Sequence, residues 1–331
     1  MASLQDVYAP IQKELRDVER IIKDSLTKGS VPEIRRINQI LVKSPGKRLR
    51  PAMAILSAFA CMGERRKRND AQYRSIANAA AAIELIHMST LVHDDVMDSS
   101  LVRHGKQTIN ALHGDNVAIC AGDYLLARAF MLLGKAGNAK LMESASCAVK
   151  DVCEGQVLQI RKRHDTSMTI KEYGSIIDRK TAALFKAACE SGEIASGTKR
   201  SVLSSFGFCF GRGFQMIDDY LDIVSDEKTL GKQPGENIRT GELTLPALLL
   251  LRSVPKQSRV SLAKRCMEDI GTLRKMMQQH GVGQRVQERV QKEMAKAKRA
   301  LDGVPPSPYK DSFYHLIELS VSRLRHGQCD A

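Results

Sequence analysis

The feature that most constrains this chain is a repeated ending: two apolar stretches with helical spacing each close on the same pattern of carboxylates. Residues 79–98 read AAAAIELIHMSTLVHDDVMD and residues 206–222 read FGFCFGRGFQMIDDYLD, about 120 positions further on. On a helix His87, Leu91, Asp94 and Asp98 fall on one stripe, with Asp95 beside them; Gln215, Asp218, Asp219 and Asp222 likewise share one face. Like charges one turn apart weaken a helix by about 0.2–0.5 kcal/mol. Negative charge at a helix C-terminus also opposes the macrodipole. A purely structural helix gains nothing from this arrangement, whereas a shared divalent cation removes both conflicts.

The remainder of the chain is compatible with helices alone. Ala, Leu, Met, Lys, Arg and Glu dominate, and no Asn-Gly or Asp-Gly step stands between alternating β-branched runs. Periodicity predicts helices over 4–28, 32–42, 51–62, 74–98, 116–133, 139–163, 169–195, 201–224, 243–252, 259–279, 281–300 and 307–326. Gly134, Gly197, Gly231 and Gly303 serve as breakers. No linker or internal period divides the chain. The expectation is an all-α, single-domain bundle spanning residues 1–331.

Eight cysteines include no C-x-x-C, so buried reduced thiols are expected in place of disulfides or a metal cage. No secretory leader is visible, and no apolar run is expected to approach the roughly 20 residues that cross a bilayer. A cytoplasmic protein is the expectation. The net charge of +14 is spread over helix faces, with only 5% aromatics, which argues against nucleic acid. It suits an anionic substrate and peripheral contact with a membrane surface.

Two carboxylate clusters facing each other would make an all-oxygen site for Mg²⁺, which binds few carboxylates together with water and phosphate oxygens. His93 adjoins Asp94, but no second His or Cys stands at zinc spacing. Diphosphates are the anions such a site suggests. Cations stand where they would be needed: Lys47 and Arg50 in GKRLRP at a helix start, Arg103 just after the first cluster, Lys180 beside Thr181 in an apolar helix, and Lys232 after the second.

These segments resemble the trans-isoprenyl diphosphate synthases, especially the polyprenyl (octaprenyl or solanesyl) branch, from about residue 46 to 246. The motifs GKRLRP, IELIHMSTLVHDDVMD, VRHGKQTIN, AGDYLLARAF, DRKTAALF, FQMIDDYLD and LGKQPGENIRTGELTLP carry it, in the family's order. The resemblance implies antiparallel helices around a deep central cavity, in a homodimer. It implies that Asp94, Asp98 and Asp218 bind three Mg²⁺, supported by Asp95, Asp219 and Asp222. Lys47, Arg50 and His87 would hold isopentenyl diphosphate. Arg103, Lys180 and Lys232 would hold the allylic diphosphate, with Thr181 and Gln215 near the developing cation. The reaction implied is ionisation of the allylic C–O bond, attack by the isopentenyl double bond, and loss of a proton to the released diphosphate.

Two positions depart from the family. His104 stands where a second Arg contacts isopentenyl diphosphate, and Glu242 where a phosphate-binding Lys is usual. The expectation is activity with weaker or pH-sensitive isopentenyl diphosphate binding. A silent partner subunit would lose carboxylates from one cluster and a class I terpene cyclase would replace the second; this chain keeps all six. Ser89 and Thr90, five and four positions before Asp94, lie roughly 6–7.5 Å below it along the helix. Their small size leaves a shaft open toward a deeper obstacle such as Phe130, so a long product of about six to ten isoprene units is expected.

Overall fold

The computed structural model describes residues 3–28, 31–43, 46–63, 69–103, 105–198, 202–226 and 233–326. Its helices are α1 (Leu4–Tyr8), α2 (Gln12–Thr27), α3 (Pro32–Val42), α4 (Leu49–Met62), α5 (Asp70–Met97), α6 (Ile109–His113), α7 (Asp115–Ala136), α8 (Ala139–Arg161) and α9 (Ile170–Ile177). They continue as α10 (Ala183–Ala195), α11 (Leu203–Val224), α12 (Glu236–Arg239), α13 (Leu245–Arg252), α14 (Arg259–Glu268), α15 (Ile270–Gln279), α16 (Val282–Ala300) and α17 (Pro308–His326). The all-α expectation holds. Strand pairing among the described residues is confined to a two-residue ribbon, β1 (Val102–Arg103) against β2 (Lys106–Gln107).

The central helix is α5. Asn69 starts it by accepting a hydrogen bond from the Gln72 amide at 2.7 Å. The alanine run 79–82 then combines high helix propensity with small size, so α4, α7 and α10 pack closely around it. Apolar residues lie all round this helix, as a helix enclosed by neighbours requires. One contiguous core extends from Val7 on α1 to Leu324 on α17. Phe185, Phe206, Phe210 and Phe313 join α10, α11 and α17 in it, with Phe206 and Phe313 centroids 4.6 Å apart.

Several boundaries differ from the sequence reading, each for a local reason. Pro10 has no amide hydrogen to donate, and a 3-10 turn (Ala9–Ile11) separates α1 from α2. Asp269 interrupts 259–279 because its carboxylate accepts from the amides of Gly271 and Thr272, both at 2.9 Å, and caps a new helix. Gly134 does not end α7; Gly137, at φ 71°, does. A π turn (Asp178–Ala182) stands inside the expected helix 169–195. The short α6, α12 and the ribbon span too few residues to show a period.

The expectation that no segment approaches membrane-spanning length needs correction: α5 and α7 both reach it by length and apolarity. The reason differs between them. Of the apolar window, 72% is buried in α5, which fills the core, but only 39% in α7, which keeps an outward apolar side.

Candidate active site

The C-terminal end of α5 carries the first cluster, and each of its carboxylates meets a cation from another element. Lys180 Nζ lies 3.8 Å from Asp94 Oδ2. Arg103 Nε, from β1, donates to Asp95 Oδ1 at 2.7 Å. Arg163, just after α8, donates from Nη2 to Asp98 Oδ1 at 2.6 Å. Burial pushes the carboxyls of Asp94 and Asp95 above their ordinary range, so a nearby cation is what favours their charged form.

The second cluster, on α11, is employed differently. Asp219 is buried and accepts from Tyr173 Oη at 2.6 Å and from Gln215 Nε2 at 2.8 Å. Burial still pushes its carboxyl up to about 7. Asp222 is also buried, with the Asn237 amide 3.4 Å from Oδ2. Asp218 pairs with a cation, Arg323 of α17, at 2.9 Å.

Between the clusters stands the π turn, because α10 packs against both α5 and α11. A π turn widens the helix by one residue, a distortion found often at functional sites. It places Lys180 toward the first cluster and Thr181 toward the second, where Thr181 Oγ1 donates to Gln215 Oε1 at 2.7 Å. The turn needs room from α8. A Cβ on Gly155 would lie 2.6 Å from the Lys180 amide nitrogen, so only glycine admits the π turn at this distance.

Asp98 and Asp219, one from each cluster, line a single cavity of about 140 Å³ together with Lys180, Thr181, Gln215 and Glu242. Its inner wall is apolar, with Met168, Ile176, Ile177 and Leu243. A larger cavity of about 280 Å³ lies between α9, α11, α13 and α16, but none of the predicted site residues lines it.

A cationic end adjoins Asp218. Arg50 lies with its guanidinium 4.2 Å from the centroid of Phe185, and its buried Nε has no hydrogen-bond partner. Burial lowers its pKa to about 10. Lys47 is lowered as well, first by burial and then by Arg323. Burial, with Arg50 and Arg103 near, holds His87 neutral well below the ordinary imidazole range. The loop bearing Lys47, just before Arg50, is fixed from behind: Arg48, in the left-handed region at φ 51°, pairs with Glu84 at 3.0 Å and with Glu19, and Tyr8 Oη donates to the Lys47 carbonyl.

The structure therefore gathers Asp98, Lys180, Thr181, Gln215 and Asp219 around one cavity, with Asp94 against Lys180, and sets Lys47 and Arg50 near Asp218 and His87 near Arg50. His104 and Lys232 lie outside the described residues. Thr90 is partly exposed on the same stripe as His87 and Asp94, while Ser89 turns away, buried, and donates to the Gly122 carbonyl of α7 at 2.8 Å. Phe130 is partly buried on α7. Sequence reasoning missed Arg163, Arg323, Gln159 and Tyr173. The basic run Arg161-Lys162-Arg163 at the end of the predicted helix 139–163 was the one available signal; the others meet their partners only through the tertiary fold.

The donor set fits Mg²⁺. Carboxylates crowded by burial face cationic side chains that a metal can replace. Among the described residues no three candidate ligands converge tightly enough to cage an ion unaided. That suits an ion which takes the rest of its shell from water and phosphate.

An α-helical bundle with two carboxylate clusters, a cavity walled partly by apolar side chains and a cationic rim suits an enzyme that ionises diphosphate esters. The polyprenyl synthetase family model matches residues 31–279. The chain is 33% identical over 328 residues to the all-trans-nonaprenyl-diphosphate synthase (geranyl-diphosphate specific) of Rhodobacter capsulatus, covering 97% of this chain and 98% of that one. It is 35% identical over 266 residues to a short chain isoprenyl diphosphate synthase of Methanothermobacter thermautotrophicus, covering 78% and 79%. The solved polyprenyl synthase of Caulobacter crescentus CB15, complexed with calcium and isoprenyl diphosphate, superposes with a TM-score of 0.89 at 32% identity, covering 97% and 98%. The chain belongs to the polyprenyl synthetase family and is a chain-elongating prenyltransferase.

Proposed function

We propose that this chain works as one catalytic domain that condenses isopentenyl diphosphate repeatedly onto an allylic starter, geranyl or farnesyl diphosphate, and releases a polyprenyl diphosphate of about six to ten units. The observation that carries this reading is the cavity shared by Asp98 and Asp219, with Lys180, Thr181 and Gln215 on its wall.

Asp94, Asp98 and Asp218 would hold three Mg²⁺, while Asp95, Asp219 and Asp222 keep them in place. Bound there, the metal neutralises charge on the leaving diphosphate. Lys180 and Arg103 supply cationic hydrogen bonds to the same group, and Lys232 is assigned to it by sequence. Thr181 and Gln215 present oxygen dipoles to the carbon where positive charge develops. Lys47, Arg50 and His87 hold isopentenyl diphosphate, with His104 at the position of a further donor. Arg50 suits this role because its stacked guanidinium keeps an unused buried Nε. The new C–C bond forms as the isopentenyl double bond attacks, and the proton then lost passes to the released diphosphate. Met168, Ile176, Ile177 and Leu243 keep water from the cation.

A homodimer is supported by apolar side chains left exposed on α7 (Val117, Ile119, Met131) and α8 (Val157, Leu158, Ile160). Seven free cysteines among the described residues favour a reducing, cytoplasmic setting. The net charge of +14 favours peripheral contact with an anionic membrane where a greasy product must leave. A relative matched over 97% of the chain is named a nonaprenyl-diphosphate synthase, which favours a long product.

Incubation with farnesyl diphosphate, labelled isopentenyl diphosphate and Mg²⁺, followed by dephosphorylation and chromatography, tests the reading. Products of about six to ten units are expected. Failure to incorporate label would overturn it. Thr90→Phe, alone or with Ser89→Phe, should shorten the product to about three or four units, since a ring there fills roughly one isoprene of depth. Unchanged long products would remove Thr90 from the tail's path.

A further inference from the structure

Glu242 sits on the loop that closes the site, its side chain only 10% exposed and both carboxylate oxygens engaged. Oε1 accepts from Arg163 Nη2 at 2.8 Å and Nε at 3.2 Å, and Oε2 accepts from the Gln159 amide. Both partners carry a second bond into the site. The same Arg163 Nη2 reaches Asp98 Oδ1 at 2.6 Å, so one guanidinium nitrogen is shared between two carboxylates. Gln159 Oε1 accepts from Lys180 Nζ at 2.7 Å, and Lys180 in turn stands 3.8 Å from Asp94. A continuous chain of contacts thus joins Asp98 to Asp94 by way of the closing loop.

We infer that Glu242 is a positioning residue that competes with Asp98 for Arg163, keeping Asp98 available to a cation, and aims Lys180 through Gln159. The inference rests on the diphosphate and metal reading above. Its physics is that of a shared donor. A guanidinium held by two carboxylates belongs wholly to neither, and removing one leaves the other in a full charge-assisted pair that an incoming cation must break. An acid at 242 is then no defect, because the cation it holds is one the first cluster would otherwise retain.

The test is a three-variant cycle: Glu242→Gln, Arg163→Gln, and both together. Calorimetric titration of Mg²⁺ in the presence of inorganic diphosphate gives a readout apart from turnover, and Mg²⁺ saturation of elongation is followed in parallel. Glu242→Gln should raise the half-saturating Mg²⁺ concentration about tenfold, because Arg163 closes onto Asp98. It should raise KM for the allylic substrate while leaving that for isopentenyl diphosphate within about twofold. The double variant should return metal binding to within about threefold of the native protein, since the competing cation has also gone. Should Glu242→Gln fail to fold, Glu242→Asp keeps the charge with shorter reach and should shift metal binding the same way. Unchanged metal binding in the single variant, or a double variant as weak as the product of the singles, overturns the inference. A native protein that neither binds Mg²⁺ with diphosphate nor elongates overturns the reading of the site instead.

Discussion

The two carboxylate clusters share a sequence pattern and almost nothing else. At the end of α5, all three carboxylates meet side-chain cations contributed by other elements: Lys180, Arg103 and Arg163. At the end of α11, Asp219 is buried among neutral donors, Asp222 is buried near a backbone amide, and Asp218 pairs with Arg323. Under the proposed function, the first cluster is an electrostatic device whose cationic partners would give way to metal and diphosphate. In the second, Asp219 is part of the framework, holding α9 to α11 and orienting Gln215. A repeated motif therefore identifies a site without assigning the same task to each acid in it.

The sharpest way to break this comparison is to remove a carboxylate assigned to the metal. Asp94→Ala and Asp218→Ala should each lower turnover by about a thousandfold or more. The thermal midpoint should hold or rise, because like-charge repulsion is relieved. Near-normal turnover in either would end its assignment as a metal ligand.

Next comes the framework acid. Asp219→Leu leaves the Tyr173 hydroxyl and Gln215 amide without an acceptor and should cost about 2–3 kcal/mol in urea unfolding. Asp219→Asn keeps an acceptor and should lose under about 1 kcal/mol. If Asp219→Asn instead lost turnover as severely as Asp218→Asn while remaining stable, the second cluster would be a metal site throughout.

Gly155→Ala addresses the element between the clusters. A methyl 2.6 Å from the Lys180 amide must displace the π turn, at about 1–3 kcal/mol. KM for the allylic substrate should rise more than that for isopentenyl diphosphate. Equal shifts in both would mean that the turn does not serve the allylic end.

The smallest effect is expected at His87. The unfolded chain binds a proton as pH falls through about 6.5, but the folded chain does not, because burial holds this imidazole neutral. The stability His87 contributes is therefore full above that pH and declines below it, by up to about 1.4 kcal/mol per unit. His87→Gln should flatten the loss of unfolding free energy between about pH 6.5 and pH 5. An unaltered slope would show that this imidazole is charged in the folded protein.

The helices and both clusters were legible because they rest on local chemistry: propensity, period and repulsion between residues one turn apart. What each carboxylate does was not legible, because that depends on partners far along the chain. Tyr173 is 46 positions from Asp219, and Arg163 is 79 from Glu242. Arg323 reaches Asp218 only because α17 folds back over α11. Glu242 read from sequence as a missing lysine; only its engagement by Arg163 and Gln159 gives the acid a purpose. Ser89 and Thr90 looked equivalent by depth along α5. One step of about 100° round the helix separates a residue on the open stripe from one pressed against α7.

The π turn at Asp178–Ala182 has a consequence for how such a chain tolerates change in length. It holds one residue more than a regular helix needs between Ile177 and Ala183. Deleting any of its five residues would let the backbone relax into an unbroken α-helix, locally the more comfortable state. Because the turn already absorbs that extra residue, the helix beyond it would keep its register. Phe185, packed against Phe210 and beneath Arg50, would hold its place in the core, while Lys180 and Thr181 would lose the displacement that turns them toward the two clusters. Loss of one residue here should therefore spare the fold and be felt at the site.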